Sequence, residues 1–239
     1  MIESHLMKLR ARVDIDAEEE AVLRALPSET RTVMAKATII RAGDLLSHST
    51  LLLEGLMCRY KDLSDGQRQI TELHLAGDFV DLHSFTLKRL DHNIMAMSQC
   101  RIALVPHDRL KRLTEEQPHL ARVYWFTTNL DAAIHREWEL SLGRRTALSR
   151  IAHLFCELHA RLGLVGLSDD TGYDFPITQI DLAEASGLTP VHVNRVLREL
   201  REERAVEFRS GRVRINDLPK LKAIAGFDPG FLYLERQAR

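Results

Sequence analysis

The period at which apolar residues recur changes three times along this chain, and each change marks a boundary. Residues 1 to about 36 read as helical: Asp16 is placed to cap AEEEAVLRAL, acidic residues fill the first turn, and Pro27 ends the segment. From Ala37 to Pro106 the texture becomes short apolar or β-branched runs (TIIRAGD, LLLEGLMCRY, QITELHLAGDFV, CRIALVP) separated by Gly43-Asp44, Asp65-Gly66 and Gly77-Asp78. DLSDGQ between two such runs is a hairpin signal, and the whole predicts an antiparallel barrel or roll. From His107 the helical period returns. Leu120, Val123, Thr127, Leu130, Ile134 and Trp138 recur at steps of three and four. That stripe is long for a surface helix and predicts a dimer seam, the alternative being that it covers the β-roll. Gly143 interrupts it as a hinge, and TALSRIAHLFCELHARLG follows as a further helix ending at Gly163. LVGLSDDTGYDF reads as a polar loop.

Thr178 to Glu203, TQIDLAEASGLTPVHVNRVLRELREE, has the spacing of a helix-turn-helix. Gly187 allows the left-handed backbone of a tight turn, and Ala183 is small enough for a close helix crossing. Leu182, Leu188, Val193 and Val196 supply the packing faces; Thr189 is an N-cap, with Pro190 at the first helical position. Two helices held this way can place the second in the major groove of double-stranded DNA. VEFRSGRVRI then alternates about Ser210-Gly211 as a small hairpin, or wing, with Arg209, Arg212 and Arg214 set to approach phosphates.

Composition narrows the picture. The formal charge of the 239 residues is -1, so any nucleic-acid contact must come from a local patch. Cys58, Cys100 and Cys156 have no CxxC spacing, which argues against a disulfide scaffold or zinc ribbon and fits a reducing cytoplasm. MIESHLMKLR lacks the apolar core of a signal peptide, and no apolar run is long enough to span a membrane. No GxSxG, P-loop, HExxH or GxGxxG stands in a fitting context, so an enzyme is not expected.

The order β-roll, long helix, hinge, winged helix-turn-helix resembles the Crp/Fnr family of bacterial transcription regulators over residues 15 to 218. The resemblance rests chiefly on Leu52 to Asp78 with Gly55, Gly66 and Gly77, on the DNA-reading segment, and on SRIAHLF. It implies an α+β fold in three parts: an N-terminal helix and antiparallel, jelly-roll-like sensor domain over 1–116, a dimerisation helix and hinge over 117–143, and a winged helix-turn-helix domain over 144–239. It further implies a cytoplasmic homodimer on a palindromic operator, with RNA polymerase as a partner.

On the second helix, Arg195 is the best base reader, because its planar fork pairs bidentately with guanine, as an arginine at the matching family position does. His192 and Asn194 are within reach of base edges or phosphates. Val191 stands where relatives often carry a glutamate that accepts from cytosine; valine can touch only a thymine methyl, so the operator should depart from the family consensus there. Thr178, Gln179 and Thr189 are phosphate candidates near helix N-termini. Arg198 and Arg201 read either as contacts or as a solvated face paired with Glu202 and Glu203.

The effector stays open. Cyclic-nucleotide-binding relatives use a Gly-Glu pair and then an Arg-Ser or Arg-Thr pair. Here Gly77-Asp78 replaces the first, Leu90-Asp91 falls at the second, with Arg89 one position off, and His135-Arg136 replaces the Thr-Ser pair of the long helix. These departures argue against cyclic AMP. Three cysteines, none before Cys58, argue against the four-thiolate iron–sulfur cluster known in the family. Haem or another metal at His74, His83 or His92 remains open without a recognised ligand spacing, and no metal ligands are assigned. His153, Cys156 and His159 spread too widely around one helix to form a ligand set. A regulator with no small effector is a further possibility, as is an interaction module with a non-functional DNA-binding domain. By analogy a pocket would sit in DFVDLHSFTLKRLDH, with Asp78, Asp81 and His83 as its polar groups.

Overall fold

A computed structural model describes residues 1–237. Two helices open the chain, α1 (Glu3–Arg10) and α2 (Ala17–Ala25). Asp16 caps α2 in a reciprocal box with Glu19, which satisfies two otherwise orphaned amides. Strands β1 (Glu29–Val33), β2 (Thr38–Ile40), β3 (His48–Glu54), β4 (Leu56–Asp62) and β5 (Arg68–Leu75) follow, then the short helix α3 (Ser84–Leu87), β6 (Asn93–Ala96) and β7 (Cys100–Pro106). The helical α4 (His107–Glu116) leads into the long α5 (Pro118–Arg144). Beyond it lie α6 (Ala147–Gly163), the two-strand unit β8 (Ser168–Asp169) and β9 (Gly172–Asp174), α7 (Gln179–Ser186), α8 (Pro190–Glu202), β10 (Val206–Arg209), β11 (Arg212–Ile215), α9 (Leu218–Ala225) and a 3-10 turn at Pro229–Leu232.

The chain divides into two compact units. Among the described residues, the first holds 1–60, 73–133 and 233–237; the second holds 61–72 and 134–232. The β-roll consists of one antiparallel sheet in the order β1-β7-β3 and another in the order β2-β6-β4-β5. The run Leu51-Leu52-Leu53 explains itself here. Leu51 and Leu53 face a core shared with Leu6, Leu23, Phe79, Leu110 and Val123, while Leu52 faces the inter-sheet core with Ile40, Met57 and Ile94. A strand buried on both faces shows a continuous apolar run in place of alternation. The β region begins at Glu29, earlier than the helical reading of residues 1 to 36 allows: Glu29–Val33 pairs with β7 across its whole length. Its residues are mostly exposed, so they carry no apolar alternation for the sequence to reveal.

In the second unit α6 is the central element, burying Ile151, Leu154, Phe155 and Leu158. Phe155, Tyr173, Phe175 and Phe208 pack as an aromatic group, and the Tyr173 hydroxyl donates to the Phe155 carbonyl at 2.9 Å. The stretch expected as a plain loop, 164–175, instead forms β8 and β9, and β9 extends the wing into a four-stranded sheet in the order β10-β11-β9-β8. Gly172, at φ +129°, makes this pairing possible, since a Cβ there would lie 1.9 Å from the Val213 carbonyl oxygen.

On helix α5 the residues expected as a dimer seam are largely enclosed within their own chain. Leu120 and Val123 are buried in the first unit's core, Ile134 and Trp138 are buried in the second unit, and Thr127 and Leu130 are half-buried. Side chains already enclosed by their own chain have little area left for a partner. The face of α5 open to solvent carries Arg122, Trp125, Asn129, Ala132, Arg136, Glu139 and Gly143, again at alternating steps of three and four. Trp125 is 71% exposed. Gly143 does not break the helix, which continues to Arg144.

Candidate nucleic-acid interface

Local chemistry fixes the geometry of α7 and α8. Thr178 caps α7, accepting from the Asp181 amide at 3.1 Å while Asp181 accepts from the Thr178 amide at 2.8 Å. Gly187 closes α7 in the left-handed conformation, and the Leu188 amide donates back to the Ala183 carbonyl at 3.1 Å. Thr189 then caps α8 through the His192 amide, with Pro190 in the first turn. Val193, Val196 and Leu200 turn inward; Leu197 is half-buried.

What remains outward is a polar and basic face. Val191 is 82% exposed. Asn194, Arg195, Arg198 and Arg201 are exposed and His192 is half-buried. The Arg195 guanidinium donates to His192 Nε2 at 2.8 Å, and Asn194 donates to Gln179 Oε1 at 3.3 Å. Gln179 and Asn194 thus share one patch across the two helices. Between α8 and the wing runs a groove of about 440 Å³ lined by Asn194, Arg198, Arg201, Phe208 and Arg209. Arg209, Arg212 and Arg214 are exposed on the wing. Arg212 pairs with Asp174 at 2.7 Å, and Arg198 approaches Glu202 at 3.8 Å. Exposed pairs of this kind contribute little and exchange readily for a phosphate. Every expected DNA-contact residue, from Thr178 to Arg212, lies on this winged helix-turn-helix.

The expected effector groups lie apart from one another in function. Asp78 accepts from the Leu75 amide at 2.9 Å and pairs with buried Lys8 at 2.6 Å, so it closes a turn. Asp81 is fully buried; it accepts from the Thr50 amide at 2.5 Å and the Ser84 hydroxyl at 3.4 Å. Burial pushes its carboxyl up to about 7, against the Thr50 amide, the Arg59 charge and the Ser84 hydroxyl. His83 stacks obliquely on His92, 5.3 Å between centroids, and lines a cavity of about 20 Å³ with Phe79, Leu82, Thr127, Thr128 and Asp131. That volume holds about one water, where an organic ligand needs several hundred Å³. At the positions matched to a phosphate cassette, Leu90 is buried in the inter-sheet core, Asp91 binds His92 Nδ1, and Arg89 donates to the Gly43 carbonyl.

Two residues that the sequence reading passes over approach the back of α7: Arg150 and Gln69, whose acceptors there are the Ser186 and Glu184 carbonyls. Arg150 lies within SRIAHLF, but backbone acceptors leave no trace in side-chain spacing, so neither residue's role is readable from the sequence. No described helix is long and apolar enough to cross a membrane.

Residues 30–117 match the cyclic nucleotide-binding domain family and residues 149–224 the Crp-like helix-turn-helix domain family. A probable transcriptional activator of Rhizobium leguminosarum bv. viciae is 33% identical over 174 residues, spanning 72% of this chain and 70% of the relative. The transcriptional activator protein FnrL of Cereibacter sphaeroides is 28% identical over 219 residues, spanning 89% and 86%. Among solved structures, FixK2 from Bradyrhizobium japonicum shares the fold at a TM-score of 0.76 and 23% identity, over 84% of this chain and 98% of that one. With both halves of the architecture and its relatives in agreement, the chain belongs to the Crp/Fnr family of bacterial transcription regulators.

Proposed function

We propose that this regulator works in the cytoplasm as a homodimer that sets one α8 into each of two successive major grooves of a palindromic operator. The observation that carries this reading is the capped α8, with Val191 and Arg195 exposed in its first half beside an arginine-bearing wing. Arg195 reads a guanine bidentately; Val191 meets a thymine methyl. His192 and Asn194 lie beside these readers. Thr178, Gln179, Thr189 and Pro190 at the two helix N-termini, with Arg198, Arg209 and Arg212, track the phosphates.

Pairing runs along the exposed stripe of α5, Trp125 and Ala132 being its least polar members, which supports a second copy as the partner. The departures at Leu90, Asp91 and Arg89 favour an effector other than cyclic AMP, or none. DNA-bound, the dimer presents its remaining surface to RNA polymerase. Selection of duplexes from a random pool, followed by gel shift across a salt series, tests the reading. A palindromic consensus and binding that weakens steeply with salt are expected. Binding indifferent to sequence would favour an interaction module whose winged helix no longer reads DNA.

A further inference from the structure

We propose that Arg150 is the positioning residue that fixes α7, and with it α8, against the end of α5, and that Gln69 of the β4–β5 hairpin is a second tie on the same helix end; together they set the separation at which the paired recognition helices meet DNA.

One guanidinium here serves two helix termini. Arg150 Nε donates to the Ser141 carbonyl at 2.9 Å; Nη2 donates to the carbonyls of Leu142 at 2.9 Å and Arg145 at 3.1 Å. Ser141 and Leu142 belong to the last turn of α5, whose carbonyls have no partner within the helix. Nη1 donates to the Ser186 carbonyl at 2.6 Å, and Ser186 is the final residue of α7. The negative ends of two helix dipoles therefore converge on one fixed cation. Only a planar fork of five N–H groups can bind four carbonyls in three directions at once; a lysine ammonium cannot.

Gln69 adds a tie two residues earlier on α7. Its side-chain amide donates to the Glu184 carbonyl and to its neighbour Ile70, each at 2.8 Å. The turn glycine leaves room for this arrangement. A Cβ on Gly187 would lie 3.2 Å from Leu142 Cδ2, 3.6 Å from Gln69 Oε1 and 3.7 Å from Arg150 Nη1. Because α8 packs on α7, with Leu182 and Val193 both buried, the direction of α8 relative to α5 follows from these ties. In a dimer joined along α5, that direction becomes a distance between two recognition helices. The inference rests on the paired-operator reading above.

The test uses full-length wild type, Arg150→Met, Arg150→Lys and Gln69→Ala. Each binds palindromes whose half-sites stand at the preferred separation or one base pair wider or narrower. The readouts are the affinity ratio between separations, the base preference within a half-site and the melting temperature. A merely structural role would lower the melting temperature and the active fraction, leaving the ratio intact. We expect Arg150→Met to flatten the ratio by about fivefold or more, Arg150→Lys and Gln69→Ala to flatten it less, and half-site base preference to stay unchanged in all three. Folded variants with the wild-type ratio overturn the proposal, whatever their overall affinity. Should Arg150→Met fail to fold, unchanged ratios in both Arg150→Lys and Gln69→Ala overturn it equally. A wild-type protein with no preferred separation would instead overturn the paired-operator reading, which separates the two failures.

Discussion

At the scale of single residues, Arg195 and Asp81 behave oppositely because one is in water and the other is not. Arg195 sits on an exposed helix face, where its fork, now donating to His192, remains open to a base edge. Arg195→Ala should cost about 1–3 kcal/mol of specific binding and relax preference at one base pair. Equal loss on every duplex sequence would move Arg195 to the phosphate contacts. Asp81 is enclosed, and burial raises its carboxyl to about 7. A carboxyl raised this way favours the folded state most below the usual carboxylate range, and that contribution is lost as pH rises through about 7. Asparagine keeps the acceptor for the Thr50 amide without the charge. Asp81→Asn should therefore stabilise the protein more at pH 8 than at pH 5, by on the order of 1–2 kcal/mol. Urea midpoints giving the same difference at both pH values would refute a titrating Asp81.

At the scale of elements, α5 separates what periodicity can and cannot tell. Both of its stripes step by three and four, so spacing alone does not say which faces the core. Leu120, Val123, Ile134 and Trp138 are the more apolar stripe and are enclosed for that reason; the proposed seam is the exposed stripe of Trp125 and its neighbours. Trp138→Glu would set a second carboxylate against buried Glu157, which now accepts from the indole at 2.9 Å. It should cost about 3–5 kcal/mol of stability. Trp125→Glu should leave the melting temperature nearly unchanged while lowering the dimer fraction in sedimentation; an unchanged dimer would remove Trp125 from the seam.

The elements most legible in the sequence were those specified by local chemistry. Asp16, Thr146, Thr178 and Thr189 cap helices and Gly187 ends α7, so α7 and α8 lie within the segment their caps mark. β8 and β9 leave little trace because they are two and three residues long, and β1 because it is mostly exposed and held by pairing with β7. The polar face of α8 followed from the same periodicity that buries Val193 and Val196. The roles of Asp78 and Asp81 did not, since their partners Lys8 and Thr50 are far away in sequence, while His83 meets His92 across the intervening α3.

At the scale of the whole molecule, a chain of formal charge -1 meets DNA through one local surface. The arginines of α8 and the wing concentrate positive charge there. In the proposed homodimer, a paired α5 joins two such surfaces into a two-armed reader. The native mass of the complex on a selected duplex tests this union most directly. Two protomers on one palindrome, with half-sites about one helical turn apart, are predicted. A single protomer on the selected duplex, or a complex whose formation ignores the half-site sequence, would contradict it.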